Sequence, residues 1–182
     1  MLKFREEKAT QAAARLLQHR GGRMHYLKLL KLLYLADRRA LVELGRPISY
    51  DLFVSMPHGP VLSRTYDLIA AEPDPESPSY WRRFISGPDA YAVQLLTDAV
   101  PSDHLSRAEE EILDRVFREF GHWDRWKLRD YTHSLPEYRD PGGSSLPIGI
   151  EEILLAQGMS REDAEAIKDE LDVDSVVEEA AG

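Results

Sequence analysis

The stretch from Met24 to Leu44, MHYLKLLKLLYLADRRALVEL, decides the fold. It is too long for one strand, and Lys28 and Lys31 interrupt it too early for a membrane span. Its first half is apolar on almost every side. The spacing therefore predicts a helix over residues 24–44 that forms the central, most buried element of the molecule. Gly45 stands where a left-handed closing residue belongs, and Pro47 lies just beyond it. At about 100° per residue, Lys28, Lys31, Arg38 and Arg39 share one side. Asp37 falls opposite them, in line with Leu30, Leu33, Leu41 and Leu44. A carboxylate in an apolar stripe needs partners, because an unpaired one in a core is destabilising or has its pKa driven up. Asp37 is accordingly expected to be buried, ionised and structural.

Upstream, Ala9, Ala12, Ala13, Leu16 and Leu17 set one apolar stripe on a helix over residues 5–19, stopped by Gly21-Gly22. Downstream, Ile48 to Met56 reads as an extended segment. Pro57-His58-Gly59-Pro60 reads as a turn, with Pro60 at the first position of a helix carrying Val61, Leu62, Thr65, Leu68 and Ile69. Glu72 to Ser79 is a proline-rich loop. Residues 81–85 and 90–96 read as the strands of a hairpin around Gly87-Pro88-Asp89. Ser106 and Glu109 form a capping box for a helix ended by Gly121, and Asp124 caps another through Thr132. Pro141 to Ser145 is a break, followed by a helix over residues 150–157. A last helix runs from Ser160 to about Leu171, with a frayed acidic tail holding Asp172, Asp174, Glu178 and Glu179. The expected fold is mainly α (α+β): a single helical domain around a central buried helix, with a small antiparallel β hairpin or sheet.

The length of 182 residues suits one domain with a real core, and 43% hydrophobic with 30% charged residues is the balance of a globular chain. The N-terminus, Met1-Leu2-Lys3-Phe4-Arg5-Glu6-Glu7, lacks the apolar region of a signal peptide. Without cysteine the chain has no disulfide, thiolate metal site or cysteine nucleophile. These features suggest a soluble protein of the cytoplasm. The net charge of −9 disfavours nucleic acid, although the segment up to Arg46 leans basic while that from Gly158 leans acidic.

No hydrolase elbow, phosphate-binding glycine loop or dinucleotide fingerprint is present, and none of the six histidines has zinc spacing. A three-dimensional metal site from Asp37, His58 and His133 is the sharpest enzymatic alternative, against the commoner structural role of isolated histidines. The helix start expected after His58-Gly59 would attract an anion. That anion is either a ligand or, more often in proteins, an internal carboxylate, with Asp37 the candidate; His133 or Arg129 could serve Asp37 instead. Trp123, Trp126, Tyr131 and Tyr138 are interleaved with Arg125, Arg129 and Arg139. That mixture suits a protein interface or single-stranded nucleic acid, and equally a core with a solvated rim.

Four segments carry a family resemblance. Residues 29–37 contain Lys31, Tyr34 and Asp37 in a K-L-L-Y-x-A-D helix. Gly45-Arg46-Pro47-Ile48 is a G-x-P-I turn. His58-Gly59-Pro60-Val61 is followed by Tyr66. Thr132-His133 is followed by Pro136-Glu137-Tyr138. In this order they resemble the Panacea domain of SocA-like antitoxins over about residues 5–155, except that Tyr138 stands where tryptophan is common. The resemblance implies a non-enzymatic antitoxin that binds a cognate toxin, usually encoded next to it, and possible hand-over of that toxin to a housekeeping protease. It implies no cofactor and no metal. The domain is expected to span residues 1–171, with 172–182 as the acidic tail. A metal-dependent hydrolase using His58, His133 and Asp37 is the alternative.

Overall fold

A computed structural model describes residues 3–72, 74, 76, 77 and 79–181. The N-terminal Met1-Leu2, the loop prolines Pro73, Pro75 and Pro78, and Gly182 lie outside the described residues. The elements in chain order are α1 (Glu6–His19), β1 (Arg23–His25), α2 (Tyr26–Leu44), β2 (Phe53–Met56), β3 (Gly59–Leu62), α3 (Ser63–Ala70), α4 (Tyr80–Phe84), β4 (Ala92–Gln94), α5 (Arg107–Phe120), α6 (Arg125–His133), β5 (Leu146–Pro147), α7 (Ile150–Ala156) and α8 (Arg161–Ala181). The chain is mainly α. It carries an antiparallel β1–β4 pair and a three-stranded antiparallel sheet in the order β3-β2-β5.

Helix α2 is the centre. It packs against α1, α3, α5, α6 and α7 and against both sheets. Leu29 through Asp37 are all buried, and on its charged side Lys28 and Lys31 are buried while Arg38 and Arg39 are half-buried. Lys28 donates to the carbonyl of Gly121 at 2.5 Å, where a cation meets the negative end of α5. Gly45 closes α2 at φ +69°, as its position predicts. The capping box of Ser106 and Glu109 also forms. The buried Glu109 carboxylate further receives Lys8 at 2.6 Å and Arg46 at 2.5 Å, tying α1 and the turn after α2 to the start of α5. Burial pushes Glu109 up, but Lys8, the Ser106 amide and Arg46 together hold it below its ordinary value.

Four local expectations are corrected. Residues 24 and 25 belong to β1 rather than to α2, because they pair with Val93 and Ala92 of β4. Residues 81–84 are helical, not a strand: the Ser79 hydroxyl caps α4 by accepting from the Arg82 amide, and Trp81 is fully buried. What remains of the expected hairpin is the two bridges Ile85–Leu95 and Asp89–Ala92, and the turn falls at Ala90-Tyr91. Pro60 lies in strand β3, opposite Ser55, and the helix starts only at Ser63. Strand β3 is a sheet edge, where the missing proline N–H is tolerated. Finally, α8 continues without a break past Leu171 to Ala181. Leu171 and Ser175, one turn apart, are both buried and hold the helix down. The side chains of Glu178 and Glu179 lie outside the described residues.

Candidate functional site

The motif residues meet beneath the β2–β3 turn. Gly59 has φ +96°, and a Cβ there would stand 2.8 Å from the His133 ring, 2.9 Å from Lys31 Nζ and 3.1 Å from Thr132 Oγ1. Both the backbone conformation and the space therefore require glycine. Lys31 is fully buried and donates to the carbonyl of Pro60 at 2.8 Å. Burial brings its amine down to about 7. Thr132 is fully buried and donates to the carbonyl of Arg129 at 3.0 Å. The His133 ring stacks on Tyr138 at 4.6 Å, and its Nε2 is buried without a hydrogen-bond partner among the described residues. Tyr138 Oη donates to the carbonyl of Met56 at 3.2 Å. Tyr34 donates to Glu137 at 3.0 Å, and Arg38 donates to the same carboxylate at 2.6 Å, so the segment after α6 is pinned to α2. Pro47 and Val61 are buried, and Tyr66 is half-buried.

Asp37 is buried, but its partners are not those expected. It accepts from the amides of Ile48 at 2.9 Å and Ser49 at 3.2 Å, and from the Ser49 hydroxyl. Neither His133 nor Arg129 bonds it. Burial pushes it up to about 7 against the lowering effect of Ser49, so at neutral pH its protonated form coexists with the ionised one rather than giving way to it. The carboxylate at the helix start is Asp51, which accepts from the amides of Arg64 and Thr65, both at 2.8 Å. Asp37, His58 and His133 do not form a ligand set, and among the described residues no group of three or more His, Cys, Asp or Glu could hold a metal ion.

The interleaved aromatics divide into two groups. Trp123 and Tyr131 pack edge-on at 5.5 Å and both contact the buried Phe120, which makes them part of the core's margin. Trp126 instead is 47% exposed, with the guanidinium of Arg125 4.7 Å and that of Arg129 4.9 Å from its ring centre. Trp126 and Arg125 border an apolar groove of about 360 Å³ between the start of α2, the β2–β3 turn and α6. Leu30 and Val61 are buried in its wall, and the exposed His58 stands at its edge.

Tyr91, 68% exposed, also lines the groove; the sequence reading placed it only in the second strand of the expected hairpin, with no functional role. It lies in a two-residue turn closed by Asp89 N–H to Ala92 O at 2.8 Å and Ala92 N–H to Asp89 O at 2.9 Å. Ala90 at φ +48° and Tyr91 at φ +62° occupy positions that favour Asn-Gly. Each non-glycine residue there costs on the order of 1 kcal/mol or more. The turn holds the Tyr91 ring parallel to His25 at 5.9 Å, and the Tyr91 carbonyl accepts from the Tyr26 amide at 2.9 Å. His25 in turn caps α2, its Nδ1 accepting from the Leu27 amide at 3.2 Å. Burial and the nearby Arg125 lower its pKa, which favours the neutral ring that this cap needs.

Comparison with known proteins gives one match: a family model described as antitoxin SocA-like, Panacea domain, covers residues 29–138. No curated protein and no solved structure matches the chain. The matched span is more than half of the 182 residues and contains Lys31, Gly59, Thr132, His133 and Tyr138, the residues that meet beneath the β2–β3 turn. The chain belongs to the SocA-like antitoxin family, through its Panacea domain.

Proposed function

We propose that this protein is an antitoxin that silences a cognate toxin, encoded beside it, by direct protein–protein binding and without chemistry of its own. Family membership supports the class of function. The observation that carries direct binding is Trp126, an exposed tryptophan flanked by two guanidinium groups at the edge of an apolar groove. Tryptophan and arginine are the residues that most often dominate binding energy at protein interfaces, and leaving a tryptophan half in water is otherwise unfavourable. The converging motif residues support a structural role rather than a reactive one. Lys31, Thr132 and Asp37 are buried and hydrogen-bonded within the protein, and Gly59 leaves no room beside Lys31 and His133.

Expression of each neighbouring gene alone and together with this one tests the reading. Growth rescue and co-purification with one neighbouring product are expected. Failure of both for every neighbouring gene overturns it. No helix among the described residues is long and apolar enough to cross a membrane.

A further inference from the structure

We infer that the groove between Tyr91 and Trp126 receives an aromatic side chain of the partner protein together with an adjacent carboxylate. The identity of that partner as the toxin rests on the antitoxin reading above; the chemistry of the groove does not. The volume, about 360 Å³, is at the small end for ligand pockets and suits one large side chain rather than a whole helix. The lining is apolar and aromatic, with Leu30 and Val61 buried in the wall and Tyr26 and Tyr66 half-buried beside them. Flat rings at such a site favour offset or edge-on stacking with another ring.

The charge of the groove points to the carboxylate. The chain has 32 acidic residues and a net charge of −9, yet none of the described Asp or Glu lines this groove. Its one permanently charged lining group is Arg125, which has no salt bridge among the described residues and rests against Trp126. Arg129, on the same ring, is already paired with Asp130 at 2.7 Å. Arg125 feels the neighbouring Asp124 only as a longer-range attraction, and a guanidinium without a salt bridge at the edge of an apolar site is the complement of an incoming acid.

The turn at Ala90-Tyr91 is the second, independent observation. Two consecutive non-glycine residues in the left-handed region hold a tyrosine that is mostly in water. A fold selected for stability alone would place Asn-Gly there. The strained turn fixes the Tyr91 ring over His25, facing the groove, before any partner arrives, so less conformational freedom is lost on binding.

The test uses N-acetyltryptophan, which has ring and carboxylate, N-acetyltryptophanamide, which has the ring alone, and acetate. Binding to the full chain is followed by amide and indole NMR shifts. The acid is expected to saturate and to bind about threefold more tightly than the amide, the size of one partly exposed ion pair. Acetate is expected to cause no saturable shift. Arg125→Gln should erase the difference between acid and amide. Trp126→Ala and Tyr91→Gly should weaken both, while Tyr91→Gly raises the melting temperature, which loss of a merely structural ring would not do. Equal binding of acid and amide to the unaltered protein, or no saturable binding of either, overturns the proposal. So does tight binding of labelled oligo(dT) that Arg125→Gln abolishes, because the occupant would then be a single-stranded nucleic acid. The same variants are then scored for growth rescue. If the probes behave as expected but Arg125→Gln, Trp126→Ala and Tyr91→Gly all still rescue fully, the toxin docks elsewhere and the proposal falls while direct neutralisation stands. If the unaltered protein rescues no neighbour, the antitoxin reading falls instead and the probe results decide the groove by themselves.

Discussion

Replacing Lys31 by methionine removes a buried amine while keeping most of its volume, and the effect should depend on pH in one direction only. Lys31 is fully buried, its Nζ donates to the carbonyl of Pro60, and no carboxylate among the described residues pairs with it. Burial takes the amine from its ordinary 10.5 to about 7. Below about pH 7 both the native and the unfolded chain hold the proton, and this group leaves stability unchanged. Between there and 10.5 only the unfolded chain holds it, so stability rises with pH. The slope is at most about 1.4 kcal/mol per pH unit, which gives about 2–3 kcal/mol between roughly pH 7 and 9. Methionine abolishes that rise. At neutral pH it removes an amine that burial disfavours in its charged form and leaves the Pro60 carbonyl short of one donor, so the two effects oppose each other to within about 1–2 kcal/mol. Urea denaturation of both proteins in steps from about pH 6 to 9 measures the double difference, in which the other titrating groups cancel apart from His133, whose pKa Lys31 also lowers. The unaltered protein should gain about 2–3 kcal/mol on the variant across that range. Profiles parallel to within about 0.5 kcal/mol would refute the reasoning, and would mean that the amine reaches water or an acid in solution.

Asp37 should show the opposite sign at lower pH. Its pKa is raised from 3.8 to about 7, so its contribution is fully present below the unfolded value and is lost as pH rises through the folded one. Relative to Asp37→Asn, the unaltered protein should lose about 2–3 kcal/mol between roughly pH 4.5 and 7, and equal slopes in urea denaturation would show that the amides and hydroxyl at Ile48-Ser49 keep the carboxylate ionised. Gly59→Ala should cost more than about 2 kcal/mol, because the new methyl meets His133, Lys31 and Thr132. Gly45→Ala, with a similar positive φ but open space around it, should cost only about 1 kcal/mol. Equal losses in thermal or chemical unfolding would show that the space beside Gly59 yields easily.

Helix α2 was legible because its information is local: apolar residues on nearly all sides, a closing glycine and a proline beyond. The capping box at Ser106 and Glu109 and the cap at Asp124 were legible for the same reason, a side chain and an amide two or three residues apart. The partner of Asp37 was not. Two of the buried carboxylates, Asp37 and Asp51, meet two sets of amides, at Ile48-Ser49 and Arg64-Thr65. Which carboxylate meets which set depends on the path of the segment between Pro47 and Phe53, and pattern alone does not fix that path. Trp81 to Ile85 failed because five residues with three large apolar ones fit a helical turn as well as a strand. The Ser79 cap decided it locally, and β1 offered β4 a better partner than α4 could. The buried Lys31 and the Glu137 beneath Tyr34 were visible only as motif residues, since nothing in their spacing tells a buried charge from a solvated one.

Tyr91 was hidden for a different reason, and that reason bears on function. Turn recognition looks for Asn-Gly or Asp-Gly, and here Ala-Tyr occupies the turn against that preference. The nearby features that also bear on this are Arg125, without a salt bridge among the described residues, and an exposed Trp126. All three border one groove. Local rules describe what favours the isolated fold, so violations scattered over the surface would mean only tolerance. Outliers of the same kinds also occur away from the groove, at Tyr50 with φ +56° and at the exposed Leu96, but three that border one apolar cavity can share a cause, and a partner that occupies the cavity would supply one for each: a ring for Tyr91 to face, an acid for Arg125 to pair with, and cover for Trp126.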